Sequence, residues 1–373
     1  MGKGLRLVLD NIIFFLQRSG GGSVYWSEIV KRLDGDWCDT TYLEPKGDHN
    51  NIFYKELRTK LRHPIVRESM TARVLSFLSS RHSFPEPFIF HSSYYRTSKA
   101  TKAINIVTIH DFMPELFFTG LKRFYHSWRK SKAIQRADGI VCVSSNTRAD
   151  LLRFYPKVAT KRMITIPLGI SSDYFTIAGS EVLHESKRPP YMLFVGRRSH
   201  YKNFDFALDV LRQLEHYQLI VAGEEWTPSE KNAIAPLKER ISLVPNPTNE
   251  QMNILYNEAF CLLYPSSYEG FGIPVIEAMS ASCPVVALNA SSIPEVSNGA
   301  ALVLDELTVH LFTKAIQSLE SMDLRSEIIR KGLANAARFN WDRSVKQHSE
   351  FYQSVFREFT SAGERTKASI AQG

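Results

Sequence analysis

Short apolar runs alternate along the chain with stretches whose apolar residues recur at helical spacing, and this rhythm holds through both halves. Runs separated by helical stretches rather than by two-residue hairpin turns predict βα units around a parallel sheet covered on both faces. In the first half the pattern predicts strands at 5–10, 87–92, 104–110, 139–144 and 163–168, with helices at 23–33, 122–137 and 146–154. In the second half it predicts strands at 191–196, 217–223, 241–245, 260–265 and 284–288. Helices are expected there at 204–214, 248–257, 274–280, 309–319 and 324–339. A polar segment at 179–190, ending in a Pro-Pro pair, reads as a linker. The expectation is α/β: two Rossmann-like, doubly wound domains, residues 1–178 and 187–350, facing across a cleft.

Composition narrows this picture. With 373 residues, 44% of them hydrophobic, the chain is long enough for two cores and too apolar to be disordered. No run approaches the length of a membrane-spanning helix. The apolar stretch at 5–15 is broken by Asp10 and Asn11 and lacks a cleavage site, so a soluble, unprocessed protein is expected. Cys38, Cys142, Cys261 and Cys283 never form a CxxC pair, which argues against a disulfide framework or thiolate zinc site and fits a cytoplasmic location.

The formal net charge of +8 is uneven. Residues 1–178 hold 27 Lys and Arg against 15 Asp and Glu; the remainder holds 19 against 23. A basic half attracts anionic partners. One dense cluster joins Lys122, Arg123, Arg129, Lys130, Lys132 and Arg136 to Phe124, Tyr125 and Trp128. Two readings stay open for it: a peripheral contact with an anionic membrane, or an ordinary amphipathic helix with its aromatics in the core.

Ligands of doubly wound folds sit beyond the carboxyl ends of the strands, so those positions carry the candidate chemistry. After the first strand, Gly20, Gly21 and Gly22 open a helix, serving either an anion at its start or only a flexible turn. His110 ends the strand at 104–110, either to contact a substrate or to satisfy nearby backbone. Arg197 and Lys202 flank the loop after the strand at 191–196; both suit diphosphate oxygens, and both equally suit solvent. The richest segment runs Glu269-Gly270-Phe271-Gly272-Ile273-Pro274 into a helix carrying Glu277. Pro274 fits a first helical turn, the Gly270–Ile273 amides lie at the helix start, and the two carboxylates can take sugar hydroxyls and a ribose diol, or merely favour the helix dipole.

These motifs together resemble the retaining GT-B glycosyltransferases of family 4, mannosyltransferase type. Glu269 and Glu277 match the family's Glu-x7-Glu, and Gly196 through Lys202 match its G-R-x-x-x-x-K element. Gly20–Gly22 and His110 match its glycine loop and sugar-contacting histidine, and the likeness extends over nearly the whole chain. The resemblance implies Arg197 and Lys202 on the donor diphosphate, Glu277 on the ribose, and Glu269 on the donor sugar. It further implies Gly270–Ile273 amides on sugar or phosphate, and His110 near the reacting carbon. It implies no metal and no cofactor, the nucleotide sugar being a substrate, with GDP-mannose leading and a UDP-sugar as the alternative. It implies as acceptor a saccharide or lipid-linked saccharide of surface glycan such as lipopolysaccharide. The final helix, about 351–373, is expected to return to the first domain. Arg198 departs from the usual apolar residue, for a phosphate contact or an exposed position.

Other classes fit less well. Asp34-Gly35-Asp36 spells a metal-binding DxD, but it follows a helix, where Asp-Gly is a common turn. A sugar-nucleotide epimerase shares the architecture without favouring this Glu-x7-Glu loop. A non-enzymatic basic protein that binds membrane or nucleic acid remains, although no nucleic-acid motif accompanies the charge and no nucleic-acid partner is expected.

Overall fold

The computed structural model describes residues 4–35, 37–178 and 189–371. Asp36 of the Asp-Gly-Asp turn and most of the linker at 179–190 lie outside the described residues. The chain forms two compact units, Met1–Leu168 with Trp341–Gly373, and Gly169–Asn340.

The first unit carries strands β1 (Arg6–Asp10), β2 (Asp39–Lys46), β3 (Ile65–Thr71), β4 (Phe88–Ser92), β5 (Ala103–Ile109), β6 (Gly139–Cys142) and β7 (Arg162–Thr165). They form a seven-stranded sheet in the order β3-β2-β1-β4-β5-β6-β7, with parallel pairing throughout. The second unit carries β8 (Tyr191–Val195), β9 (Gln218–Gly223), β10 (Ile241–Pro245), β11 (Cys261–Tyr264), β12 (Val285–Leu288) and β13 (Leu302–Leu304). Their order, β10-β9-β8-β11-β12-β13, is again parallel. In each sheet the strand order reverses once, between β1 and β4 and between β8 and β11. A crevice opens at such points because the connections leave toward opposite faces. Strands β5, β11 and β12 are buried along their whole length, as strands covered on both faces are.

The last helix, Trp341–Ala371, belongs to the first unit. Trp341, Val345, His348, Tyr352 and Val355 make a buried stripe at steps of three and four, the face a helix lays on a core. It packs on the helix Gly21–Leu33 and on β4 and β5. Inside this junction runs a hydrogen-bonded chain with one consistent direction. Tyr352 Oη lies 2.6 Å from His91 Nδ1, His91 Nε2 lies 3.0 Å from Thr108 Oγ1, and Thr108 lies 2.8 Å from Tyr25 Oη. Tyr25 lies 2.8 Å from His348 Nε2, and His348 Nδ1 lies 2.8 Å from the Ser344 carbonyl. The carbonyl accepts only, so Nδ1 of His348 carries the proton and Nε2 accepts from Tyr25. Tyr25 then accepts from Thr108, Thr108 from His91, and His91 from Tyr352. Every partner is satisfied with both histidines neutral. Burial pushes both below their usual value, His348 to about 4.

The helix Gly120–Arg136 divides the basic cluster between core and solvent. Arg129, Lys130, Ala133 and Ile134 are buried, and Lys130 bonds Glu115 at 2.6 Å and the Asp111 carbonyl at 2.8 Å. Leu121, Phe124 and Trp128 face solvent, 87%, 68% and 43% exposed. The core reading fails for those aromatics: the apolar residues point outward while two of the cations point inward. Among the described residues no helix is long and apolar enough to cross a membrane.

Candidate active site

In the second unit the reversal point is framed by the loops after β8 and β11, which are laced together. The loop after β8 passes a single 3₁₀ turn, His200–Lys202, and enters the helix Phe204–Gln213 through Asn203, whose φ is 54°. Asparagine tolerates that left-handed conformation better than most residues. Its side-chain amide donates to the Pro265 carbonyl and to Ser267 Oγ, both at 2.7 Å, and Ser267 N–H donates to the Tyr201 carbonyl at 2.8 Å. Lys202 is thereby aimed across the reversal point. Its ammonium ion-pairs with Glu269 and lies 3.3 Å from Tyr264 Oη, with both partners of the ion pair largely buried. Burial, reinforced by Glu269, holds the Tyr264 phenol protonated, so it enters the site as a neutral donor.

The loop after β11 is held by residues from beyond β12. Glu269 N–H donates to Ser291 Oγ at 2.7 Å, and the buried Ser292 hydroxyl lies 2.9 Å from the Glu269 carbonyl and 2.8 Å from that of Phe271. Gly272 caps the helix Ile273–Ser280 at φ 100°. A side chain there would meet both the unfavourable backbone conformation and Ile293 at 2.9 Å, so glycine is required. Pro274 sits in the first turn, as its spacing predicts. The Gly270–Ile273 segment thus leads the helix, and Val275 is the residue whose N–H bonds back to Gly272.

Glu277, one turn in, accepts from Tyr256 at 2.9 Å, and Tyr174 also donates to it. Burial pushes its carboxyl up to about 7 against these two hydrogen bonds. Near neutral pH the carboxyl is therefore both acceptor and donor.

Arg197 stands apart from this group. It is 76% exposed and pairs with Glu224 at 3.1 Å, an ion pair at the surface that is weak and readily exchanged. Arg198 corrects the sequence reading on both counts, being neither exposed nor open to a phosphate. Its side chain is 4% exposed, bonds Glu230 at 2.6 and 3.1 Å and the Glu225 carbonyl at 2.8 Å, and lies 4.7 Å over Trp226. Its work is to fasten the loop after β9.

In the first unit Gly20 caps the helix Gly21–Leu33 at φ 141°, and Gly21 and Gly22 form its first turn at the carboxyl end of β1. His110 follows β5, its ring edge-on to Tyr25 with centroids 4.8 Å apart. Burial pushes His110 well down; Lys130 adds to this and Asp111 opposes it. The ring is therefore neutral near pH 7, able to donate and accept but not to act as a cation. Asp34, which the sequence offered as half of a metal motif, accepts from Tyr42 Oη at 2.9 Å and from Arg62 N–H at 2.8 Å.

Asn203, Tyr174, Tyr256, Ser291 and Ser292 support the site without any sequence signal. They lie in loops and on neighbouring helices, and only the fold brings them to the motif residues.

Two family models match the chain: "Glycosyltransferase Family 4" over residues 19–174 and "Glycosyl transferases group 1" over residues 179–338. The chain is 28% identical over 291 residues to O-antigen chain mannosyltransferase B of Escherichia coli, covering 71% of this chain and 74% of that protein. It is 24% identical over 298 residues to GDP-mannose:cellobiosyl-diphosphopolyprenol alpha-mannosyltransferase of Xanthomonas campestris, covering 75% and 70%. Among solved structures, sucrose-phosphate synthase from Thermosynechococcus elongatus superposes with a TM-score of 0.74 at 17% identity, over 95% of this chain and 100% of that one.

Proposed function

The chain belongs to the GT-B glycosyltransferases of family 4 and group 1, and from that premise we propose that it is a retaining mannosyltransferase of surface-polysaccharide assembly. The donor is GDP-mannose, and the acceptor is a saccharide or lipid-linked saccharide. The names of the two relatives support the mannosyl donor and the polysaccharide context. The observation that carries the chemistry is the Lys202–Glu269 pair at the reversal point, three residues ahead of the helix cap at Gly272.

In this reading the pair is a resting arrangement that the donor splits. The diphosphate takes the Lys202 ammonium, with Arg197 swung from Glu224 and the leading amides of Ile273–Ser280 adding to it. Glu269, released, accepts from a hydroxyl of the mannose. As the glycosidic bond breaks, the bonding electrons pass to the diphosphate, and these groups stabilise the charge that develops there. Glu277 holds the ribose diol, and neutral His110 meets a sugar hydroxyl. No carboxylate is assigned as a nucleophile, and the scheme used by hydrolases is not carried over. The cations and the helix terminus supply what a metal ion otherwise would, so transfer persists in excess chelator. The exposed Leu121, Phe124 and Trp128, among Lys122, Arg123 and Lys132, fit a peripheral contact with an anionic membrane where a lipid-linked acceptor resides.

A thermal-melt panel of nucleotides and nucleotide sugars tests the donor. A ligand at a hundred times its Kd stabilises the folded chain by about 2.7 kcal/mol. GDP and GDP-mannose are expected to raise the midpoint and UDP-sugars to leave it unchanged. Selective stabilisation by a UDP-sugar overturns the mannosyl assignment.

A further inference from the structure

A surface crevice lies in the first unit between the segment that follows the short helix Ala72–Leu75 and the helix Gly120–Arg136. Ser76, Ser79, Tyr95, Trp128, Arg129 and Lys132 line it. Arg129 is its unusual member. The residue is 5% exposed and gives one hydrogen bond, from Nη1 to Tyr125 Oη at 2.8 Å. Its Nε and Nη2 are buried with no hydrogen-bond partner. Among the described residues no carboxylate lies within 4.0 Å of it.

The neighbouring buried cations are treated differently. Arg96, which also lines the crevice, is paired with Asp10 at 3.2 Å and Glu68 at 2.7 Å, and Lys130 is paired with Glu115. Among the described residues, three aromatic rings lie against the Arg129 guanidinium, Tyr94 at 4.5 Å, Tyr125 at 5.4 Å and Phe77 at 5.5 Å. Contacts of that kind attract a cation only weakly, whereas burying a charge without a counter-ion is strongly unfavourable. Nε and Nη2 also form the side-on edge of the guanidinium, the fork that takes two oxygens of one phosphate.

Two further observations agree. Tyr95 holds a φ of 27°, a strained value for a bulky side chain, and such strain persists where the surroundings impose it. Lys132 is pushed down from its usual value by partial burial and by Arg136 and Lys99 beside it, so positive charge crowds the rim without neutralisation.

We infer that this crevice binds a phosphate or diphosphate ester, the anionic part of the acceptor, with the Nε–Nη2 edge of Arg129 as its principal ligand and Lys132 as the second. The inference rests on the proposed transferase reading for the word acceptor, but the anion site stands on its own geometry. Exposed Phe77, Leu78 and Trp128 at the same rim suit an apolar chain attached to that phosphate.

The test uses the full chain carrying Lys202→Ala, which removes the donor-side cation, titrated calorimetrically with inorganic pyrophosphate. Saturable binding is expected, and Arg129→Gln or Lys132→Gln added to that chain is expected to weaken it roughly tenfold or more. Sedimentation with phosphatidylcholine vesicles, with and without a polyprenyl diphosphate, identifies the source. Diphosphate-dependent sedimentation that Arg129→Gln abolishes assigns a lipid-borne acceptor; pyrophosphate binding without it assigns a soluble ester. Pyrophosphate affinity unchanged by either substitution, or no saturable binding at all, overturns the site. Intact pyrophosphate binding at the crevice, together with no transfer from GDP-mannose by the parent chain that keeps Lys202, counts against the donor reading alone. Lys132, on the rim, keeps the test decisive if Arg129→Gln unfolds the chain.

Discussion

Lys202→Ala is expected to lower kcat for transfer by roughly 10²–10³, about 3–4 kcal/mol of lost leaving-group stabilisation. Lys202 reaches across the reversal point to Glu269 and Tyr264 and contributes nothing to the hydrophobic core of its unit. Its removal leaves Glu269 largely buried without its cation, so a moderate loss of stability accompanies the loss of turnover. Glu269→Gln separates the two effects. The amide keeps the shape and its hydrogen bond to Tyr264 but carries no charge for Lys202, and its turnover should fall by a similar factor with the fold intact. Because the two groups act as one unit, the double variant should be scarcely worse than either single one. Fully additive losses would mean that the residues work independently, and turnover within tenfold of the parent in both single variants would remove the pair from the chemistry.

The second large effect is acid sensitivity at the junction of the last helix. His91 and His348 are fully buried and neutral, and the folded chain holds their pKa values below the ordinary 6.5, His348 at about 4. The unfolded chain therefore binds these protons first. The stability they confer is complete above about pH 6.5 and is lost as pH falls toward 4. For His348 alone the loss is about 2 kcal/mol at pH 5 and about 3 kcal/mol at pH 4. His110 lies close enough to lower both, so a proton on any one of the three discourages the others. A protonated His348 would also donate from Nε2 toward Tyr25, against the direction of the whole chain. Melting curves at pH 7 and pH 5 should differ markedly in the parent. His348→Gln accepts from Tyr25 without titrating and should reduce the difference. A drop of equal size in that variant would place the acid sensitivity elsewhere.

The strands bordering the site were legible because β8, β11 and β12 are nearly pure apolar runs punctuated by Gly or Pro. Strands β2, β3 and β13 were not. β2 carries Asp39, Thr40, Thr41 and Glu44, and β3 carries Arg67 and Glu68. Glu44 is 1% exposed in spite of its charge because Arg58 meets it at 3.0 Å, and Glu68 is answered by Arg96. Such pairing comes from distant segments, so no local pattern announces it, and β13 is only three residues long. Boundaries moved for the same kind of reason: the helix after β1 starts at Gly21 rather than Ser23, since Gly20 supplies the cap.

The site divides in the same way. Lys202, Glu269 and the Gly272-Ile273-Pro274 start were readable because backbone conformation and charge fix those residue types. The orientation of Arg129 and Lys130 was not, because it depends on which face of Gly120–Arg136 meets the sheet. The sequence left open whether Phe124, Tyr125 and Trp128 face the core, whereas in the fold Glu115 and the Asp111 carbonyl draw Lys130 inward. Arg198 misled in a parallel way. A cation next to a motif cation invites a phosphate, but Glu230, itself held by the Thr227 capping box, claims it.

The anomeric configuration of the product tests the central claim most directly. Purified protein is given GDP-α-mannose and a lipid-linked saccharide acceptor in excess chelator, and the new linkage is read by the one-bond carbon–proton coupling at the anomeric carbon. The account predicts an α-mannoside. A β-mannoside, or no transfer until a divalent metal is restored, would contradict it.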